Sequence, residues 1–237
     1  MQKPRLNHQT LNACPRLPWK VGNFSLGEDS PVIMGVLNVT PDSFFDGGQH
    51  NTISLALKRV EQMLSEGADI IDVGGESTKP GALPVSESEE LKRTEKVVEE
   101  IVKQFAIPVS IDTSKSIVAK AALNVGALIV NDISAFDMDP EMWSLVQEFS
   151  PSLVFNHMQG LPVNMQENPT YGDVLQEVKS YLNKKVEQAL QSGLDLGKIC
   201  IDPGIGFGKA HVHNQELIWK MSELSSLNCP ILMGMSR

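Results

Sequence analysis

No stretch of about 18 consecutive apolar residues occurs in the chain, the length a helix needs to cross a bilayer, so nothing in it reads as a membrane span. The opening residues "MQKPRLNHQT" lack the apolar core of a secretory leader. Cysteine is scarce: Cys14, Cys200 and Cys229, with no CxxC spacing, an odd count that points to reduced thiols and a cytoplasmic setting. No Cys/His cluster has zinc-ligand spacing, and neither a GxSxG element nor a Ser/His/Asp set for nucleophilic catalysis is present. Positive charge is also short, with 20 Lys and Arg against 29 Asp and Glu, a net charge of −9 and a pI near 5.0. That balance argues against nucleic acid or an anionic membrane as the main partner, since each asks for a basic face. A small anionic ligand, which needs only a local positive patch, is left open.

What is present is an ordinary soluble composition, 41% apolar and 21% charged, over 237 residues. A chain of this size can bury roughly 70–75% of its unfolded surface. Residues 1–30 are irregular and read as an N-terminal extension, with a short hairpin expected at "WKVGNFSLG" (19–27). From residue 31 to 237 short apolar runs alternate with amphipathic segments. The runs are "VIMGVLN" (32–38), "DIIDVGG" (69–75), "PVSIDTS" (108–114), "LIVNDIS" (128–134), "SLVFNHM" (152–158), "KICIDPG" (198–204) and "PILMGMS" (230–236). Short runs rich in Ile, Val and Leu are strands covered on both faces, as in a parallel sheet.

The intervening segments carry helical spacing. Ile53, Leu57, Val60 and Leu64 share one face; Ser86 and Glu89 have capping-box spacing; Asp139 before Pro140 suits a cap and first helical position. Leu175, Val178, Leu182 and Val186 form a further stripe, and so do Leu217, Met221 and Leu224. Gly67 and Gly126 each sit where a helix ends ahead of a strand. Strand–helix alternation makes βαβ units and an α/β class. Two architectures fit: a doubly wound sheet, and a (β/α)₈ TIM barrel with only seven of its eight strands in this chain.

Polar residues at the ends of the runs favour the barrel. Asn38, Asp112, Asn131, Asn156, His157, Asp202 and Ser236 fall at or beyond the C-terminal ends of their runs, which in a barrel converge on one face. Any one strand-end Asn or Asp is also a common turn former. Asp112, Asn131 and Asp202, however, are embedded among apolar residues, where a carboxylate is costly without hydrogen-bond partners. Two carboxylates and an amide around one cavity suit a flat ligand with several N–H donors and a carbonyl. The loops "NVTPDSFFDGG" (38–48) and "GGESTKPGA" (74–82) are too rich in Gly, Pro and polar residues to be elements and are placed to close over a substrate. "DPGIGFGKA" (202–210) is not a nucleotide loop: Pro203 and Ala210 break the Walker pattern and Lys209 breaks GxGxxG. "HVH" (211–213) reads as a helix start with Asn214 beside it rather than as a metal site.

In order and spacing, "MGVLNVTPDSFFDGG", "GADIIDVGGESTKPGA", "VSIDTSK", "NDIS", "NHMQG", "IDPGIGFGK" and "GMSR" resemble dihydropteroate synthase, across residues 31–237. The resemblance implies a (β/α)₈ barrel of folate biosynthesis that joins 6-hydroxymethyl-7,8-dihydropterin pyrophosphate to p-aminobenzoate, releasing pyrophosphate and 7,8-dihydropteroate. It implies Asp112, Asn131 and Asp202 as pterin-binding residues and Gly206, Phe207 and Ser236 as site lining. It further implies Asn38 as ligand of a Mg²⁺ cofactor and Thr78 as a diphosphate contact, with Asp112, Thr78 and Lys79 the catalytic candidates. A homodimer is the family's expected assembly. The sequence departs from the family where Lys79 replaces an Arg, keeping charge but losing bidentate geometry, and where Asn156 replaces a frequent Met. It stops at Arg237, before the family's next Lys, its eighth strand with a pyrophosphate-binding Arg and His, and its last helices; a longer natural protein is the expectation. A pterin-binding methyltransferase and a non-catalytic pterin-binding relative are the alternatives at this stage.

Overall fold

The structure, a computed structural model, describes residues 17–40, 49–78 and 81–234. It opens with an antiparallel hairpin, β1 (Trp19–Val21) and β2 (Phe24–Leu26). A parallel sheet follows: β3 (Met34–Asn38), β4 (Ile70–Gly74), β5 (Val109–Asp112), β6 (Ile129–Asp132), β7 (Ser152–Asn156) and β8 (Ile199–Asp202). The helices that follow these strands in turn are α1 (Gln49–Ser65), α2 (Glu87–Gln104), α3 (Ser116–Asn124), α4 (Met142–Phe149), α5 (Val174–Gln191) and α6 (His211–Trp219). Each strand pairs with the next in chain order from β3 to β8. A doubly wound sheet reverses order at a switch point, whereas a barrel winds in one direction, so the order selects the barrel.

The seventh run continues this winding but is not a full strand. Ile231 bridges Ile201 in parallel register; Ile201 N–H donates to Pro230 O (3.0 Å) and Leu232 N–H to Ile201 O (2.8 Å). Pro230 has no N–H for the ladder. Among the described residues the sheet is open between β3 and this run.

Alternation along the strands sorts the residues into two cores. Ile71, Val73, Ile111, Val130, Leu153, Phe155, Ile199 and Ile201 face outward and pack under the helices. Ile70, Ile129, Val154 and Cys200 face inward and form a second cluster with Trp19 and Val21 of the hairpin. Trp19 Nε1 donates to Lys198 O (3.0 Å) and Ser152 Oγ to Lys20 O (2.7 Å), both at strand starts. The hairpin therefore seals the N-terminal end of the barrel, leaving the C-terminal end for a site.

Several helical expectations shift in detail. In α1 the most buried line is Ala56, Val60 and Met63, with Ile53, Leu57 and Leu64 at its margin, because the small Ala56 lets the helix approach closely. Ser86 caps α2 by accepting from Glu89 N–H (3.3 Å). Asp139 does not cap α4: its carboxylate accepts from Ser116 N–H (2.7 Å) and Glu141 N–H (3.0 Å), and the helix begins at Met142. The Leu217–Met221–Leu224 stripe is broken, since α6 ends at Trp219 and a 3₁₀ helix runs Met221–Leu227. Gly67 and Gly126 take the left-handed conformation expected at helix ends.

Candidate active site

Four inward-facing positions at the strand ends lie in one register layer. Asn38 pairs with Gly74, Gly74 with Asp112, and Asp112 with Asn131. Gly74 matters sterically: a Cβ there would lie 3.4 Å from Asp112 Oδ2 and 3.5 Å from Asn38 Oδ1, so its hydrogen leaves those two oxygens room over the strand. Asn131 is oriented from below, its Nδ2 donating to Asp72 Oδ2 (3.0 Å). Asp72 lies two residues before Gly74 on the same face of β4 and is 3% exposed, with Oδ1 buried and without a hydrogen-bond partner. Burial drives its carboxyl above the usual range, against the pull of Ser110 and Asn131. Asp112 is raised well above its ordinary value, first by burial and then by the negative charges of Asp72, Asp132, Glu90 and Glu76.

Asp202 ends β8 on the same inner face, opposite Asn156 in the β7–β8 register. Its Oδ1 accepts from Gly204 N–H (2.7 Å), and burial lifts its pKa to about 6. Asn156 is turned to the backbone, donating from Nδ2 to Ile133 O (3.0 Å). His157 is not free for chemistry. Lys209 Nζ lies 2.9 Å from its Nδ1, and burial with that charge lowers its pKa to about 3, so the ring is neutral and accepts.

Lys209 is itself 2% exposed and also reaches the carbonyls of His157 (3.0 Å), Gly204 (2.9 Å) and Phe207 (3.0 Å). Burial lowers its pKa to about 7, yet this set of acceptors is served by an ammonium, which alone has three protons to donate. The clasp fixes the 203–209 loop, in which Gly206 N–H donates to Asn214 Oδ1 (2.9 Å) and Phe207 is half-buried. Asn214 thus ties the start of α6 to this loop, and among the described residues no group of three or more His, Cys, Asp or Glu is gathered as a metal would need. Thr78 is half-buried four residues beyond Gly74. Lys79 and Ser236 lie outside the described residues.

Two functional-looking carboxylates escaped the sequence reading. Asp72 hides inside the apolar run "DIIDVGG", where a carboxylate between Ile and Val was the available signal. Asp132 stands beside Asn131 but faces outward, fully buried, accepting from Ser114 Oγ (2.7 Å), Ser134 N–H (2.8 Å) and Phe136 N–H (2.8 Å). It holds a turn in which Ala135 and Phe136 both have positive φ, 48° and 70°, an uncommon conformation for non-glycine residues.

A one-directional parallel barrel, plugged at one end and lined at the other by Asp112, Asn131 and Asp202, defines a small-molecule enzyme of the barrel class. The family model described as pterin binding enzyme matches residues 34–237. The chain is 46% identical over 213 residues to the dihydropteroate synthase of Escherichia coli K12, covering 90% of this chain and 75% of that protein. It is 41% identical over 222 residues to that of Neisseria meningitidis serogroup C, covering 92% and 78%. Among solved structures, Yersinia pestis dihydropteroate synthase in a sulfonamide drug complex superposes with a TM-score of 0.86 at 41% identity, covering 92% of this chain and 79% of that one. Xanthomonas albilineans dihydropteroate synthase in complex with 7,8-dihydropteroate gives 0.81 at 36% identity, covering 92% and 78%. The chain belongs to the dihydropteroate synthase family of pterin-binding enzymes.

Proposed function

We propose that this protein condenses 6-hydroxymethyl-7,8-dihydropterin pyrophosphate with p-aminobenzoate to give 7,8-dihydropteroate and pyrophosphate. The observation that carries the reading is the convergence of Asp112, Asn131 and Asp202 on the inner face of the strand ends, in a chain whose relatives are dihydropteroate synthases. In this reading the three side chains hold the flat pterin through its N–H groups and carbonyl. Asp112 stands in a field of four other carboxylates that raises its pKa. Such a field favours a cation nearby. As the bond from the pterin methylene carbon to pyrophosphate oxygen breaks, positive charge spreads into the pterin and is met by Asp112. The arylamine nitrogen then bonds to that carbon and loses a proton, with no protein nucleophile involved.

Asn38 Oδ1 overlooks Gly74, and a neutral amide oxygen is a hard donor of the kind Mg²⁺ takes alongside substrate phosphates. We therefore assign Asn38 as the protein's Mg²⁺ ligand; the ion would neutralise charge on the departing diphosphate. Thr78 and Lys79 are assigned to diphosphate contact, and Gly206, Phe207 and Ser236 to the lining.

Product formation from the two substrates, followed by chromatography, tests the reading. Asp112→Asn is expected to cut turnover by about 10²-fold or more while the protein still folds, since removing a transition-state electrostatic contact has effects of that size. Near-normal turnover in that variant removes Asp112 from its role, and methyl transfer from methyltetrahydrofolate in place of condensation overturns the reaction itself.

A further inference from the structure

An ion cluster at the rim between β4 and β5 is given no substrate contact in the reaction as derived above, although its two carboxylates belong to the field around Asp112. Lys115 Nζ donates to Glu76 Oε2 and to Glu90 Oε2. Glu76 lies in the loop after β4, two residues before Thr78, and Glu90 lies in the first turn of α2. The side chain of Glu90 is 1% exposed, and those of Lys115 and Glu76 are 22% and 26% exposed. Ion pairs at the surface contribute little, but a buried carboxylate stripped of its cation is strongly unfavourable, so this triad resists opening.

The same atoms close the stem of the substrate loop. Glu76 Oε2 also accepts from Val85 N–H (3.0 Å), joining the two ends of the 76–85 segment. Arg93 Nη1 donates to Gly75 O (2.9 Å) from α2. Gly75 is packed so closely on α2 that a Cβ there would fall 2.7 Å from Thr94 Cγ2. On its other side Lys115 follows directly from the site: its N–H donates to Thr113 Oγ1 (3.2 Å), next to Asp112. One ammonium thus connects the loop bearing Thr78 to the strand end bearing Asp112.

We propose that Lys115 is a positioning residue for the condensation: by bridging Glu76 and Glu90 it holds Gly75 and Glu76, and with them Thr78, in register with Asp112. The proposal rests on the reaction assigned above. It separates loop positioning from the direct pterin contacts, because Asp112, Asn131 and Asp202 are held by the sheet and share no hydrogen bond with the triad, which reaches Asp112 only through the charges of Glu90 and Glu76.

Lys115→Met, Lys115→Arg and the surface control Lys96→Met are compared by amide hydrogen exchange at Val85, by KM and kcat, and by affinity for 6-hydroxymethyl-7,8-dihydropterin alone. Lys115→Met is expected to speed exchange at Val85 and to raise KM for the pterin pyrophosphate, whose diphosphate Thr78 contacts, about tenfold, in line with the cost of small misplacements of substrate-positioning groups. Pterin affinity is expected to change far less than KM, Lys115→Arg to recover most of the KM, and Lys96→Met to change nothing. Should Lys115→Met fail to fold, Glu76→Gln, which keeps the shape and removes the charge, is expected to show the same exchange and KM changes. Parent-like exchange and KM overturn the proposal, and so does a pterin affinity that falls in step with KM, which would mark a general loss of structure. A parent protein with no condensing activity would count against the reaction alone, because exchange at Val85 still decides whether Lys115 anchors the loop.

Discussion

Asp202 shows how a binding residue weakens the fold that carries it. Burial raises its pKa from 3.8 to about 6, in spite of the Gly204 N–H and the Lys209 charge. The folded state thus holds a proton that the unfolded state has released between these two values, and stability falls as pH rises through that window. Two units correspond to a penalty on the order of 3 kcal/mol once the group is ionised. Asp202→Asn keeps an oxygen for Gly204 N–H and removes the charge. It is expected to raise the melting temperature at pH 8, to leave it unchanged at pH 4, and to abolish pterin binding; differential scanning fluorimetry with a titration of the dihydropterin reads all three. A variant that melts at or below the parent at pH 8 would show that the ionised carboxylate is well satisfied where it stands. Asp112 and Asp72 are shifted in the same direction by the same burial, so the inner face holds its carboxylates at a cost in stability.

Among the elements, the loops after β7 and β8 behave as one body. Lys209 spans them through His157 and the carbonyls of Gly204 and Phe207, and Tyr171 Oη donates to Gly208 O (2.8 Å). Their backbones touch so closely that a Cβ on Gly204 would run into the His157 carbonyl, and φ at Gly204 is +68°. Gly204→Ala meets both a backbone clash and a left-handed conformation, neither relieved by a rotamer change. It is expected to destabilise the protein by about 3 kcal/mol in urea unfolding, near the upper end for overpacking against backbone. A parent-like midpoint would mean that the two loops separate easily. The proposed lining by Gly206 and Phe207 depends on this clasp, since both lie between Gly204 and Lys209.

For the whole molecule, the two ends and the open side of the barrel differ. The hairpin seals one end with Trp19 and Val21, and the polar strand ends occupy the other. On the open side, beside β3, Val36 faces inward yet is 56% exposed, and Ile33 is 55% exposed. Among the described residues the outer edge of β3 has no strand partner, and such an edge with apolar neighbours invites association. A chain of these 237 residues is expected to bind 8-anilinonaphthalene-1-sulfonate and to self-associate with rising concentration in sedimentation velocity. Val36→Thr is expected to lower the dye signal. Dye fluorescence no higher than that of a closed barrel would show this side to be covered in solution. Among the described residues no helix is long and apolar enough to cross a membrane.

The sequence by itself determined the strand–helix alternation, the polar residues that close the strands, and the hairpin at 19–26, because each is written locally, in short apolar runs and their ends or in a helical period of 3.6 residues. Helix starts slipped by a few residues, as at Asp139, where a side chain drawn to Ser116 on another helix overrode the local capping pattern. Only the tertiary structure decided that Asp72 orients Asn131, that Lys115 bridges Glu76 and Glu90, and that Lys209 locks His157. The partners in these contacts stand 59, 39 and 52 positions apart for Asp72, Glu76 and His157, beyond the reach of any local pattern. They arise because winding the sheet in one direction brings distant loops to one rim, where buried charges can find partners from other units.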